Sequence, residues 1–139
     1  MAALARLAAR RATARPGRLR RLRLFLLAGV VSGAASAAPL APAARAEVDA
    51  LLARLEASGC EFNRNGTWHK AAEVKPHLLR KLKYLEDRGA VQTTEQFIEL
   101  AASGSSMTGE PYLVKCGNAA AVRSATWLSS QLQAMRVAR

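Results

Sequence analysis

The chain has 139 residues, half of them apolar and only 5% aromatic, and its 21 lysines and arginines against 10 acidic residues give a formal net charge of +11. This length supports at most one domain. The charge alone would suggest a nucleic-acid-binding protein. However, residues 1–46 hold nine arginines and no acidic residue, whereas residues 47–139 hold 12 basic and 10 acidic side chains, a net charge of +2. We therefore expect no nucleic acid among the partners.

The first 46 residues show the three zones of a secretory signal peptide. Residues 1–23 are rich in arginine and lack acidic side chains, residues 24–31 (LFLLAGVV) are continuously apolar, and residues 32–46 are small and rich in alanine. We therefore predict that residues 1–46 are a cleaved leader that directs export to the periplasm, and that residues 47–139 form one small domain.

Two A-x-A sequences are candidate cleavage sites: the first choice is cleavage after Ala46, and the second is cleavage after Ala37. We therefore expect contact with the membrane only through the leader, before it is cleaved. Two alternatives remain open. Residues 24–44 carry no charge and are long enough to span a bilayer as an uncleaved anchor. A mitochondrial transit peptide is also rich in arginine, but such peptides lack so compact an apolar block.

Cys60 and Cys116 are the only two cysteines, and both lie in the mature part. In an oxidising compartment, an even pair of cysteines in a small domain is typical of a disulfide bond. The bond would close a loop of about 57 residues, which on the chain-entropy argument destabilises the unfolded state by about 4 kcal/mol. We therefore predict a disulfide between Cys60 and Cys116.

Apolar residues at helical spacing alternate along the mature part with short runs of β-forming residues. The predicted elements are, in chain order, a helix at 47–58, a strand at 60–66, a helix ending before Gly89, a helix capped by Thr93, a strand at 111–116 and a helix capped by Ser124. The helix after Thr93 is expected to bury Phe97, Ile98, Leu100 and Ala101. The order α-β-α-α-β-α predicts an α+β domain in which a two-stranded antiparallel ribbon packs on about four helices.

A pattern of apolar residues at helical spacing runs from Ala71 to Leu85, in the region of the middle helix. Pro76 interrupts this pattern. Proline inside a helix removes one hydrogen bond and clashes with the preceding turn, but it is well tolerated at the first helical position. We therefore expect this helix to begin near Lys75, or to be kinked at Pro76.

The predicted disulfide also sets the pairing of the two strands, because Cys60 begins the first and Cys116 ends the second. Antiparallel strands with these two cysteines opposite each other place Phe62 opposite Val114, as a buried apolar pair. Two residues further on, Arg64 is expected opposite Tyr112.

The same pairing brings two polar loops, at residues 64–66 and 105–110, to one end of the ribbon. His77 and Lys81, one helical turn apart, add a polar stripe beside the core leucines. Arginine, lysine, histidine, hydroxyl and loop N–H groups suit an anion or a peptide carboxylate. The candidate binding surface comprises Arg64, Asn65, Gly66, His77, Lys81, Ser105, Ser106, Gly109 and Tyr112.

Other chemistry has weaker support in the sequence. A zinc site built from the two cysteines with His69 and His77 lacks close ligand spacing, and a disulfide would consume both thiolates. The sequence contains neither G-x-S-x-G nor S-x-x-K. No catalytic residue, metal ligand or cofactor is therefore predicted. In the purely structural alternative, Arg64 pairs with Glu110 and His77 is a satisfied histidine at the edge of the core.

Five short motifs occur in order along the mature part: S-G-C-x-F-x-R-N-G at 58–66, His77-Leu78 with Lys81, Thr94-Glu95-x-Phe97-Ile98, S-S-x-x-G-E-P-Y at 105–112, and Trp127-Leu128. In this combination the chain resembles the YfeK-like family of small exported bacterial proteins with a domain of unknown function. The resemblance extends from Glu47 to about Arg136. It implies a Gram-negative envelope protein with a cleaved leader and no established activity, and it supplies no catalytic residues. Pro76 and the long arginine-rich leader depart from the usual family pattern.

Together these features predict a periplasmic, non-enzymatic binding or interaction module. Its partner would be an envelope protein, a peptide or a small anionic ligand. The alternative is a small periplasmic hydrolase or transferase that uses His77 with a loop serine.

Overall fold

The computed structural model describes residues 39–139, so most of the predicted leader, including the candidate cleavage site after Ala37, lies outside the described residues. The helices are α1 (Pro42–Ala57), α2 (Ala71–Glu86), α3 (Thr94–Phe97) and α4 (Ser124–Val137), and a π-helical segment (Ile98–Ala102) continues α3. The strands are β1 (Glu61–Arg64), β2 (Thr67–Lys70), β3 (Leu113–Lys115) and β4 (Val122–Arg123). The fold class is α+β, as predicted.

The sheet has four antiparallel strands in the order β2-β1-β3-β4, where the sequence predicted only the central pair. That central pair has the predicted register, with Phe62 opposite Val114, and the Cys60–Cys116 disulfide is formed. The additional strand β2 arises from a tight turn at Asn65 and Gly66, whose φ angles are 50° and 85°. Two successive positive φ angles match the right-handed twist of a hairpin, which is why Asn-Gly favours this turn.

The hydrophobic core lies between one face of the sheet and the helices. Phe62 and Val114 on the sheet are almost fully buried. They pack with the helical residues Val48, Leu51, Leu52, Leu55, Leu78, Leu82, Phe97, Ala101, Leu128 and Leu132. Among residues 39–139, no helix combines the length and apolar character that crossing a membrane requires.

Helix α1 begins at Pro42, five positions before the predicted start at Glu47. Proline at the first helical position is pre-organised for the helix and loses no hydrogen bond there. Leu40, just before the helix, is only 7% exposed and belongs to the core. The helix therefore starts earlier because tertiary packing holds a segment that the amphipathic pattern alone did not include.

Helix α2 begins at Ala71, directly after β2, and includes Pro76, so the expected start near Lys75 was wrong. Ala71 is buried, which anchors the first turn against the core. Because proline has no N–H, the Ala72 carbonyl receives no hydrogen bond from position 76. Both Ala72 and Pro76 are exposed, so water can solvate that carbonyl. The helix thus continues through the proline, with Ala71, Leu78 and Leu82 on its buried face.

The helix after Thr93 is capped as predicted, since the Thr93 hydroxyl accepts a hydrogen bond from the Gln96 backbone N–H at 3.2 Å. After four residues it widens into the π-helical segment. Phe97 and Ala101 are fully buried, but Leu100 is 43% exposed, so its predicted burial was wrong. A π-helix closes its hydrogen bonds over one more residue than an α-helix, which shifts the side-chain phase and turns Leu100 outward.

Helix α4 begins at Ser124 itself, and Arg123 takes the capping position that the sequence assigned to Ser124. Strand β4 ends at Arg123 and continues directly into the helix, so Ser124 is already helical. Its buried hydroxyl donates to the Ala102 carbonyl at 2.8 Å. Ser124 therefore ties α4 to the π-helical segment instead of capping the helix.

Candidate functional site

Four basic residues meet where β1 ends against the middle of α2, and we call Arg64, His77, Arg80 and Lys81 the basic cluster. Arg64 Nη1 lies 2.9 Å from His77 Nδ1, and His77 Nε2 lies 3.4 Å from the Tyr112 hydroxyl. Lys81 Nζ donates to the Gly104 carbonyl at 2.9 Å and lies 5.1 Å from the centre of the Tyr112 ring. Side chains from β1, α2 and the segment before β3 thus form one contact network.

The protonation of His77 follows from its neighbours. Burial first, and then the charges of Arg64 and Lys81, lower the pKa of His77 to about 4. The imidazole is therefore neutral at pH 7. Because a guanidinium group only donates, Nδ1 accepts from Arg64, which leaves the proton on Nε2, the nitrogen that faces the Tyr112 hydroxyl.

Desolvation also affects the two neighbours of His77. Burial lowers the pKa of Lys81, and the charge of Arg64 lowers it further. Burial raises the pKa of Tyr112. Both shifts have the same cause: the cluster lies in a partly dehydrated recess of the surface, where charges are poorly screened.

The cations of the basic cluster have no acidic partner in the described part of the chain. None of the ion pairs between residues 39 and 139 involves Arg64, Arg80 or Lys81. Arg64 contacts His77 and not Glu110, so the structural alternative of an Arg64–Glu110 pair does not hold. Three cations thus gather around a neutral histidine without an ion pair of their own in this part of the chain; Glu73, which lines a neighbouring depression with Arg64 and Arg80, lies 3.2 Å from His69 instead.

The two polar loops meet beside this cluster. The Thr108 hydroxyl donates to Asn65 Oδ1 at 3.2 Å. Ser105 Oγ accepts from two backbone N–H groups of its own loop, those of Met107 and Thr108, both at 3.3 Å. Ser105 therefore shapes the loop. Gly66 and Gly109 supply positive φ angles in the two turns, and neither lines the depressions described below.

Three depressions open at this place: one of about 210 Å³ that includes Glu73, and two adjoining ones of about 360 Å³ each on the side of Lys81. The first of the adjoining two, which we call the polar cleft, is lined by Arg64, Asn65, His77, Lys81, Ser105, Ser106, Met107 and Tyr112. The second, which we call the apolar groove, is lined by His77, Arg80, Lys81, Tyr84, Leu85, Leu100 and Ser106. The structure thus unites the predicted polar residues in one cleft.

The sequence-based surface omitted Arg80 and the apolar groove. Arg80 follows His77 by three positions, so it lies on the same face of α2, and that spacing was a signal that would have identified it. The exposed position of Leu100 had no such signal, because it depends on the π-helical turn.

This geometry gives little support to catalysis by a histidine–serine pair or to a metal site. Both ring nitrogens of His77 are occupied by Arg64 and Tyr112, and no hydrogen bond joins the ring to Ser105 or Ser106 in the described residues. Within residues 39–139, no group of three or more His, Cys, Asp or Glu side chains is placed to hold a metal ion.

Comparisons with known proteins agree with this picture of a small domain. The family of unknown function DUF5329 matches residues 42–136. The "Uncharacterized protein YfeK" of Salmonella typhimurium is 42% identical over 68 residues, which are 48% of this chain and 55% of that relative. The chain thus matches about half the length of this curated relative, and no solved structure matches it. Since the family match covers all the described helices and strands but the end of α4, the chain belongs to this YfeK-like family of unknown function, DUF5329.

Proposed function

We propose that this protein is an exported binding module that takes an anionic ligand, a carboxylate or a phosphate, in the polar cleft. The observation that carries the proposal is the gathering of Arg64, Arg80 and Lys81 without an acidic partner among the described residues. Arg64 and Lys81 are partly buried, so their charges repel each other and lose hydration, and the exposed Arg80 adds to the positive charge beside the cleft. A bound anion would offset both costs.

The cleft supplies hydrogen-bond donors for such a ligand. Arg64 uses one guanidinium nitrogen on His77, which leaves its other N–H groups free for a carboxylate or phosphate. Lys81 donates one of its three protons to Gly104. Asn65 accepts from Thr108 through its oxygen, so its NH₂ group remains available as a donor. Charged donors that converge in a partly dehydrated cleft are the usual means of binding an oxyanion.

Substitution of Arg64 tests this function directly. We expect Arg64→Ala to weaken the binding of acetate and inorganic phosphate about tenfold or more, because one charge-assisted hydrogen bond contributes roughly 1.5–3 kcal/mol. Isothermal titration calorimetry at low salt measures the affinity, which should also fall as salt rises. Arg54→Ala is the matched control, because Arg54 is an exposed arginine on α1 that lines none of the clefts at the cluster. Equal anion affinity in the Arg64 and Arg54 variants would refute the proposal.

The compartment we propose is the periplasm. A disulfide bond forms and persists in oxidising compartments, and the Cys60–Cys116 bond therefore supports export. The leader composition of residues 1–46 supports the same route.

Within this proposal, the leader is removed upstream of α1, after Ala37, and not after Ala46. Ala46 lies inside α1, and cleavage there would remove Leu40 from the core and the first helical residues from the domain. It would also remove Arg45, whose guanidinium lies 3.3 Å from a carboxylate oxygen of Glu86 on α2. The family match also begins at residue 42, upstream of Ala46.

Intact mass spectrometry of the exported protein tests the cleavage point. We expect a mature chain that starts at Ala38, and we expect Ala37→Gln to abolish that product, because the peptidase requires a small residue before the cut. Ala46→Gln is the matched control, since Ala46 is exposed and the substitution should leave the product unchanged. A mature chain that starts at Glu47 would contradict the upstream site.

A further inference from the structure

The apolar groove beside the polar cleft indicates what kind of anion fits this protein. We propose that the ligand is the C-terminus of a peptide whose last side chain is apolar, with the carboxylate in the polar cleft and the side chain in the apolar groove. This inference rests on the proposed anion-binding function and names its ligand class.

The two depressions are continuous along one face of α2. His77, Lys81, Tyr84 and Leu85 are spaced as i, i+4, i+7 and i+8, so they lie on one side of the helix. His77, Lys81 and Ser106 line both depressions. One helical turn, about 5.4 Å, separates the ammonium-bearing Lys81 from Leu85. A cationic and an apolar side chain thus follow each other along this face, in the order that a terminal carboxylate and a neighbouring apolar side chain require.

The surface of the apolar groove carries exposed hydrophobic groups. Leu100 is 43% exposed and Tyr84 is 55% exposed. The guanidinium of Arg88 lies 3.5 Å from the centre of the Tyr84 ring, which fixes the orientation of that ring. Leu100 is exposed because the π-helical segment turns it outward, and such segments are frequent at functional sites. Covering these two side chains with an apolar ligand group would remove their surface from water.

The charges and donors favour a peptide over a fatty acid as the occupant. A fatty acid needs one cationic site and a long apolar channel, whereas the groove is bounded by Arg80 and Lys81 and extends for only about two helical turns, roughly 11 Å. The Asn65 amide and the Ser106 hydroxyl line the same cleft as Arg64. They are placed to bind the carbonyl of a preceding peptide group, which a fatty acid does not have.

The test measures fluorescence polarisation of labelled hexapeptides that differ only in their last residue or in their terminal group. We expect a peptide ending in Leu to bind about fivefold tighter than one ending in Ser, and amidation of the terminus to weaken binding about tenfold or more. Leu100→Ser should remove the preference for Leu while retaining the requirement for the carboxylate. Val122→Ser is the matched control, because Val122 is 44% exposed but lies on β4, away from the groove.

The outcomes separate this inference from the proposed function. A preference for Leu that persists in the Leu100 variant, with a native circular dichroism spectrum, would overturn the ligand assignment. Octanoate binding that is tighter than peptide binding would overturn it as well, in favour of a fatty acid. If either result came with weaker acetate binding in Arg64→Ala, the anion site would stand and only the peptide assignment would fail.

Discussion

Reduction of the Cys60–Cys116 disulfide will lower the free energy of unfolding by about 4 kcal/mol. The two cysteines are 56 positions apart in sequence, and their bond ties the residue before β1 to the residue after β3. In the oxidised protein the unfolded chain loses the entropy of that large loop, whereas the reduced chain regains it. Because a small domain has a net stability of about 5–15 kcal/mol, the bond supplies a large share of it.

Urea denaturation of the oxidised and reduced protein, followed by circular dichroism, measures this effect. The Cys60→Ala/Cys116→Ala double variant should match the reduced protein, apart from the lost packing of the sulfur atom of Cys60, a residue that is buried. A change in the unfolding free energy of less than about 1 kcal/mol on reduction would contradict the prediction, and the fold would then depend on its apolar core alone.

The features that the sequence predicted best are those that follow from a few strong constraints. The pairing of Cys60 with Cys116 followed from their number and from the inferred compartment, and it fixed the register that places Phe62 opposite Val114. From that register, the approach of the Arg64 turn to the Ser105 loop also followed, and the Thr108–Asn65 hydrogen bond joins them. A covalent link between two distant residues therefore made the pairing of the two central strands predictable from the sequence.

The features that the sequence did not predict have weak local patterns and depend on tertiary packing. Strands of two to four residues, such as β2 and β4, carry too little pattern to be recognised, although Asn65-Gly66 was a hairpin signal. The early start of α1 depends on burial of Leu40 against distant helices. The contact between Arg64 and His77 was missed because the expected partner of an arginine is a carboxylate, and here it is a neutral imidazole.

Replacement of Glu47 by Gln will have the second-largest effect, a loss of about 2 kcal/mol of stability at pH 7. Glu47 is 7% exposed and accepts hydrogen bonds from the Arg136 guanidinium at 2.8 and 2.9 Å and from the Thr94 hydroxyl at 2.6 Å. These bonds connect α1 to α3 and α4. The hydrogen bond from Arg136, and then that from Thr94, lowers the pKa of Glu47 to about 2.

The sign of the pH dependence follows from that lowered pKa. The carboxylate is stabilised in the folded protein, so its contribution is fully present above the ordinary pKa of about 4.5 and is lost as the pH falls towards 2. Lowering the pKa of Glu47 from 4.5 to about 2 corresponds to about 3 kcal/mol of folding stability. We reduce this contribution to about 2 kcal/mol because the Arg136 side chain is 37% exposed and solvent screens the ion pair. The wild-type protein should therefore lose stability between pH 5 and about 2.5.

Urea denaturation at pH 7 and at pH 3 separates this carboxylate from the others. Glu47→Gln should differ most from the wild type at pH 7 and less than half as much at pH 3, because at pH 3 the carboxyl group of the unfolded chain is already protonated and that of the folded protein begins to be. Glu99→Gln is the matched control, since Glu99 is an exposed glutamate without an ion pair among residues 39–139. A difference between wild type and Glu47→Gln that stays constant with pH would show that the variant acts through packing and not through charge.

Because Glu47 stabilises the end of the chain through Arg136, the same variant should also increase proteolysis at the C-terminus of α4 at pH 7 but not in acid.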